Sequence, residues 1–343
     1  MREVLEHIAQ RENLTAAQMS EAMNTIMDGA ATPAQIGAFL LGLRTKGETV
    51  EEIAAAAAVM RERATPVNAE LPHLIDTCGT GGDGVGTFNV STACAFLAAA
   101  GGAHVAKHGN RSVSSNSGSA DLLEAAGLSL ELTPEQVAQC VEAVGVGFMF
   151  APAHHGATRH AVPVRKELGV RTLFNLLGPM TNPAGVRRQV MGVYSRRWVR
   201  PVAEVLGRLG AEHVMVVHAD DGLDEISPSA PTQVAEFRAG ELREWTIDPE
   251  DHGVRVALDQ IHANGTGTSL ELVKDSLTRS LGPAAAVVAL NAGAALYVAG
   301  LAEDFAAGVA AARHLQNEGA GWERLEQLAD LTRQLAREGA ASS

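Results

Sequence analysis

Cys78-Gly79-Thr80-Gly81-Gly82-Asp83-Gly84-Val85-Gly86-Thr87-Phe88-Asn89-Val90-Ser91-Thr92 is the stretch on which the fold turns, and it leads directly into an apolar helix expected over 93–100. Ahead of it lies an apolar run, 71–76, short enough to be a buried strand. Glycines at this density let backbone N–H groups converge on an anion. The helix N-terminus adds a positive partial charge, and Asn89, Ser91 and Thr92 add hydroxyl and amide groups. The pattern is therefore a phosphate cradle between a strand and a helix. It lacks the Gly-Lys-Ser/Thr ending of a Walker loop and the spaced glycines of a dinucleotide fold.

Downstream the same alternation repeats. Short apolar runs at 103–106, 147–151, 190–194 and 213–218 read as buried parallel strands, each followed by a polar loop. Runs 232–238 and 241–247, joined by Ala239 and Gly240, read as an antiparallel hairpin. In an open parallel sheet the loops gather at the carboxyl ends of the strands, so residues far apart in sequence meet in one crevice.

Upstream the chain reads as helices. Thr32 with Pro33 starts one over 34–43, Gly47 ends it, and Thr49 with Glu52 forms a capping box for another over 51–63. The alanine run 54–58 strips bulk from one helix and suits a close helix–helix contact, expected between subunits. The fold class is thus α/β, with a small N-terminal helical domain (1–70) and a larger domain (71–343) built on a mostly parallel central sheet flanked by helices. A return segment to the helical domain is expected near 165–190. The apolar stretch 281–301 contains Pro283, Asn291, Gly293 and Gly300 and reads as a buried helix rather than a membrane span. Only the tail after Gly339 is expected to be disordered.

A second polar loop, Lys107-His108-Gly109-Asn110-Arg111-Ser112-Val113-Ser114-Ser115-Asn116-Ser117-Gly118-Ser119, places two cations, two amides and five serines one βα unit after the cradle, a composition suited to a phosphorylated ligand. A third, Asp220-Asp221-Gly222-Leu223-Asp224-Glu225, ends an apolar strand with adjacent carboxylates. Such groups repel unless a cation lies between them, and hard oxygen donors suit Mg²⁺. Asp224 and Glu225 are the metal candidates. Between these loops, His154 and His155 point in different directions on a helix, so they make no zinc site alone. They could shape a pocket for an aromatic acid, and Arg165 offers a planar fork for a carboxylate.

A net charge of −13 and a pI near 5.4 argue against nucleic acid as a partner, because that binding is driven by lysine and arginine. Three widely spaced cysteines suggest neither a disulfide framework nor a structural zinc site, which fits a cytoplasmic protein. Arg2, Glu3, Glu6 and Arg11 interrupt any signal-like apolar stretch at the N-terminus.

With these segments in hand, the chain resembles the anthranilate phosphoribosyltransferase family from its N-terminal helices to about Leu335. The resemblance rests on Gly79-Thr80-Gly81-Gly82-Asp83, Asn89-Val90-Ser91-Thr92, Lys107-His108-Gly109-Asn110-Arg111, Arg165 in Pro-Val-Arg-Lys-Glu-Leu-Gly, Asn175-Leu176-Leu177-Gly178-Pro179 and Asp221-Gly222-Leu223-Asp224-Glu225, in that order. It implies phosphoribosyl transfer from 5-phosphoribosyl 1-diphosphate to the amino group of anthranilate, with release of pyrophosphate and no covalent nucleophile. The donor would lie on Gly79, Gly82, Asp83, Thr87, Asn89, Val90, Ser91, Thr92, Lys107 and the loop from His108 through Gly109, Asn110, Arg111, Ser112, Val113, Ser114 and Ser115 to Ser119. Anthranilate would meet Gly79, Asn110 and Arg165, with His108 and His154 lining its path. Ser91, Asp224 and Glu225 would hold Mg²⁺. The resemblance further implies a homodimer built on the helical domain. Departures are Asn116, where many relatives carry lysine, and Thr158, where methionine is common. Pyrimidine nucleoside phosphorylases share the architecture but carry lysine and serine ahead of the glycine loop, where this chain has Ile75-Asp76-Thr77-Cys78. A non-catalytic nucleic-acid-binding relative of the fold is the other alternative.

Overall fold

Threonine caps begin the N-terminal helices as expected. In the computed structural model, which describes residues 1–112 and 117–341, Thr15, Thr32 and Thr49 each close a capping box, opening α2 (Ala16–Met27), α3 (Pro33–Lys46) and α4 (Val50–Glu62) after a first helix, α1 (Arg2–Ala9). Two backbone donors are satisfied reciprocally at each box. Gly47 ends α3 at φ 94°.

The alanine run of α4 makes a close contact inside the chain. Ala55, Ala56 and Ala57 are buried within the chain itself, where α4 packs on α2 and on the helix Val199–Arg208 of the large domain. Missing side-chain bulk lets these helices approach inside one subunit. The return segment also packs here. Ala161, Val164, Leu173, Phe174, Leu176, Leu177 and Met180 share one core with the N-terminal helices.

Among the described residues the large domain carries seven strands in the order β3-β2-β1-β4-β5-β6-β7. β1 (Leu74–Gly79), β2 (His104–Gly109), β3 (Val146–Phe150), β4 (Arg188–Gly192) and β5 (His213–Ala219) are mutually parallel. β6 (Thr232–Arg238) and β7 (Glu241–Ile247) add the antiparallel hairpin, at the bounds read from sequence. Side chains alternate across the sheet, as a period of two requires. Val190, Met215 and Val217 face the core built on α5 (Val90–Ala100) and the helix Pro283–Ala299, whereas Met191, Val214 and Val216 face the N-terminal helices.

Three strands differ from expectation for one reason. β1 starts three residues late, because Pro72 has no N–H for a ladder, and then continues through Asp76, Thr77 and Cys78. β2 likewise continues through Lys107 and His108, and β4 begins at Arg188 and Gln189. Hydropathy stops at such residues, but the sheet keeps them where partners reach them. Asp76, fully buried, accepts from Asn182 Nδ2 at 2.7 Å and from the His108 N–H at 3.3 Å.

Pro283–Ala299 is a buried helix, as read. Its Gly293 lies so close to Gly308 of the helix Phe305–Glu318 that a Cβ at Gly308 would meet the Gly293 carbonyl oxygen at 2.3 Å. Among the described residues no single helix is long and apolar enough to cross a membrane, although Thr266–Thr278 and Pro283–Ala299 pass that test together as a pair bent by 69°. At the C-terminus a helix, Ala320–Ala341, passes through Gly339, so the tail expected to be disordered is helical at 340–341, while 342–343 lie outside the described residues.

Candidate active site

The carboxyl ends of β1, β2, β4 and β5 deliver the three loops to one place. The glycine turn leaves β1 with Gly81, Gly82, Gly84 and Gly86 all at positive φ, and the Gly81 N–H donates to Asp224 Oδ2 at 2.7 Å. The third loop is therefore folded against the first. Two glycines make room for it. A Cβ at Gly192, the last residue of β4, would meet the Asp224 carbonyl oxygen at 1.5 Å, and one at Gly79 would meet Asp224 Oδ2 at 2.9 Å.

Charge accumulates at this junction. Burial, then the charge of Asp83, pushes the Asp224 carboxyl up to about 7. Burial, then the charges of Asp224 and Asp83, drives Glu225 well above the usual carboxylate range, against the pull of Lys107. Like charges held together out of water create a demand for a cation. Lys107 meets it in part. Its buried ammonium donates to the Thr77 carbonyl at 2.7 Å and to Ser91 Oγ at 3.4 Å. Among the described residues no group of three or more His, Cys, Asp or Glu side chains is placed to hold a metal ion. A hard cation here would take its remaining ligands from water and from substrate phosphates, the usual habit of Mg²⁺.

Asn89 joins the first loop to the second. It stands at the N-cap of α5, yet its side chain makes no cap; Nδ2 donates to the Ser117 carbonyl at 3.1 Å, and Oδ1 accepts from Ser269 Oγ at 2.7 Å. The first-turn N–H groups are held locally: that of Val90 donates to the Phe88 carbonyl at 2.7 Å, that of Thr92 to the Asn89 carbonyl at 3.2 Å, and that of Ser91 bonds the Glu225 carboxylate. Thr87 pairs with His262 in an isolated bridge, and Asp83 Oδ1 accepts from the Val85 N–H at 3.0 Å. In the second loop Gly109 and Gly118 admit no side chain, because a Cβ would meet Ser119 Oγ at 2.1 Å and the Ser112 nitrogen at 2.3 Å respectively. Ser119 Oγ donates to the Asn110 carbonyl at 3.3 Å, and the Ser112 N–H donates to Asp121 Oδ2 at 2.9 Å. Val113, Ser114, Ser115 and Asn116 lie outside the described residues.

Two residues read as donor or acceptor contacts are placed elsewhere. Arg111 is exposed and turned onto the next helix, paired with Glu124 and Asp121. His154 is buried, with Nδ1 on the Thr65 carbonyl at 3.0 Å. Its neighbour His155 faces the site instead, its ring centroid 5.0 Å from that of His108. Nε2 of both His108 and His155 is buried without a hydrogen-bond partner. Arg165 is half-buried over the Phe174 ring at 5.2 Å, and burial lowers its pKa; no carboxylate among the described residues pairs with it. A cation with no carboxylate partner and two imidazole nitrogens with no hydrogen bond are the kinds of group that an aromatic carboxylate could satisfy.

Both histidines are neutral near pH 7. Burial, then His155 and His154, holds His108 down at about 3, and burial, then His154, holds His155 at about 4. The unfolded chain titrates these rings near 6.5. As pH falls below that value the unfolded state takes up protons that the folded state refuses, so stability is lost until the folded pKa values are reached. The thermal midpoint is expected to fall between pH 6.5 and 4.5, with up to about 1.4 kcal/mol per pH unit from each ring. A His108→Gln/His155→Gln double variant should show a flatter profile; an unchanged slope would remove these rings as its cause.

Two further residues at the site were not read from sequence. Arg171 donates from Nη2 to the Gly82 carbonyl, and the Tyr194 N–H donates to Thr80 Oγ1 at 2.9 Å. Nothing local marks either one, since only packing brings 171 and 194 to the turn.

Comparison with known proteins agrees with this geometry. Residues 2–64 match the helical bundle domain of a glycosyl transferase family, and residues 71–322 match its a/b domain. An anthranilate phosphoribosyltransferase of Thioalkalivibrio sulfidiphilus is 58% identical over 97% of this chain and 98% of its own, and one of Halorhodospira halophila is 56% identical over 97% and 98%. The crystal structure of the Thermus thermophilus anthranilate phosphoribosyltransferase superposes with a TM-score of 0.91 at 43% identity, covering 96% of this chain and 99% of that one. The Saccharomyces cerevisiae enzyme in complex with PRPP and Mg superposes at 0.87 and 25% identity, covering 97% and 99%. By sequence over its whole length and by architecture, the chain belongs to the anthranilate phosphoribosyltransferase family.

Proposed function

We propose that this chain transfers the 5-phosphoribosyl group of 5-phosphoribosyl 1-diphosphate to the amino group of anthranilate, releasing pyrophosphate, as a step of tryptophan biosynthesis. The observation that supports the reading is the meeting of the glycine turn with the Asp224 loop at the Gly81 N–H, which brings the glycine-rich turn beside the loop that carries the Asp224–Glu225 carboxylates. Gly79, Gly82, Asp83, Thr87, Asn89 and the first turn of α5 would bind the diphosphate and ribose, with Lys107 supplying positive charge from beneath. Asp224 and Glu225, with Ser91, would hold Mg²⁺, which when bound would neutralise charge on the leaving pyrophosphate.

The aromatic amine is already nucleophilic, so a strong base is not needed. Displacement at the anomeric carbon develops positive charge on the sugar and negative charge on the departing group, and catalysis is a matter of positioning and electrostatics. Arg165 would take the anthranilate carboxylate, with His108, His155 and Asn110 around the ring. Three free, buried thiols support a cytoplasmic setting. A homodimer through the helical domain is supported by Leu41 on α3, 46% exposed.

The test is pyrophosphate release from the phosphoribosyl donor, measured with and without anthranilate and Mg²⁺. Release that needs neither would refute the assignment, and free base formed from thymidine and phosphate would favour a nucleoside phosphorylase instead. Arg165→Ala is expected to raise the anthranilate KM about 10- to 100-fold, the loss of one charge-assisted contact, while the donor KM stays within about twofold. Equal increases in both would take Arg165 out of the acceptor pocket.

A further inference from the structure

Arg171 sits where three parts of the molecule meet. Its own carbonyl accepts from Arg44 Nη1, on α3, at 2.5 Å. Its guanidinium donates to the Gly82 carbonyl and lies over the Tyr194 ring, 4.2 Å from the centroid. Tyr194 follows the end of β4, with its N–H on Thr80 Oγ1 and its hydroxyl accepting from Trp198 Nε1 at 3.0 Å. No carboxylate among the described residues pairs with Arg171. A half-buried guanidinium with a spare fork of donors is thus committed to a backbone oxygen of the phosphate-binding turn.

The turn needs such a tie. Gly81, Gly82, Gly84 and Gly86 carry no side chains to anchor it, and their left-handed backbones are accessible in many neighbouring conformations. Its other ties include the Thr80 N–H on the Gly192 carbonyl at 2.9 Å, the Gly81 N–H on Asp224, the Tyr194 N–H on Thr80 Oγ1, the Ala263 N–H on the Gly86 carbonyl at 3.0 Å, and the local Val85–Asp83 bond. Only Arg171 links the turn to the helical domain among these contacts.

We propose that Arg171 is a positioning residue for the phosphoribosyl donor, holding the glycine turn at Gly82 in register with the helical domain through Arg44 and Tyr194. The inference rests on the transferase reading for its kinetic consequence but not for its structural one. A preordered turn lowers the entropy that donor binding must remove, so the contribution falls on donor affinity rather than on chemistry. Lysine could donate to Gly82 but could not stack its planar face on Tyr194, so Arg171→Lys restores only part of the effect.

Two measurements test this. Amide hydrogen exchange of the free protein should be at least about threefold faster over residues 79–87 in Arg171→Ala, with 213–219 unchanged. Steady-state kinetics should show a donor KM raised about tenfold, kcat within threefold, anthranilate KM unchanged, and Arg171→Lys in between. Tyr194→Leu should give the same split, and it decides the matter if Arg171→Ala does not fold. Unchanged exchange over the turn, a donor KM within twofold of wild type, or an equal rise in both KM values would overturn the proposal. Should wild type release no pyrophosphate at all, the transferase reading fails while the exchange comparison still decides whether Arg171 holds the turn.

Discussion

Turnover by an Asp224→Ala/Glu225→Ala double variant is expected to fall by at least ~10³-fold, equivalent to about 4 kcal/mol of transition-state stabilisation, with the fold retained. The native pair is costly to hold. Both carboxyls are pushed upward by burial and by mutual repulsion, Asp224 to about 7, so above that pH the folded chain confines charges that the unfolded chain would hydrate. For a group whose folded pKa is raised, stability is fully present below the unfolded pKa and lost as pH rises through the folded one. At pH 8 the metal-free variant should therefore melt at or above the wild-type temperature while being inactive, a trade typical of functional sites. Addition of Mg²⁺ with pyrophosphate should raise the wild-type melting temperature and leave that of the variant where it was. Near-normal turnover in the double variant would remove the metal assignment, and a collapsed fold would show that the pair is structural.

Gly192→Ala is the second large effect. The added methyl would stand 1.5 Å from the Asp224 carbonyl oxygen, an approach that only backbone displacement can relieve. Overpacking at a well-filled site costs about 1–3 kcal/mol, and here the element that must yield is the loop bearing the metal candidates. A shift of about 1 Å in a positioned group can cost ~100-fold in rate. The variant should therefore fold with a lowered melting temperature, lose at least ~100-fold in kcat/KM, and lose the stabilisation by Mg²⁺ with pyrophosphate. Full activity in Gly192→Ala would mean that the 220–225 loop is not held by its contact with β4.

How much of this was legible in the sequence follows from the kind of interaction each feature uses. Caps and turns are local, so Thr32, Gly47, Thr49 and the Ala239–Gly240 hairpin were readable. The three polar loops were readable because each is contiguous and unlike its surroundings. Strand ends were not, since Thr77, Lys107 and Gln189 look like breaks until their partners, Ser91, Thr77 and Cys78, arrive from other elements. Choosing between His154 and His155 was beyond any local rule. They are adjacent, and only the Thr65 carbonyl, 89 positions from His154, decides which one turns away. The pairing of Arg111 was not legible either, because its partners, Asp121 and Glu124, sit on the next helix, where they compete with any phosphate for the same guanidinium. The alanine run was legible as a close helix–helix contact because small side chains mark such a contact locally.

The pairing of Gly293 with Gly308 bears on attempts to engineer this chain. Tables of intrinsic preference recommend alanine at any glycine inside a helix, with a gain of about 0.5–1 kcal/mol where the backbone allows it. At Gly37 of α3, where a Cβ would find only Val164 at 3.7 Å, the recommendation is sound. At 293 and 308 it would wedge apart two rods whose main chains touch, and a thermostabilisation campaign ranked by preference alone would place its most damaging substitutions among its best.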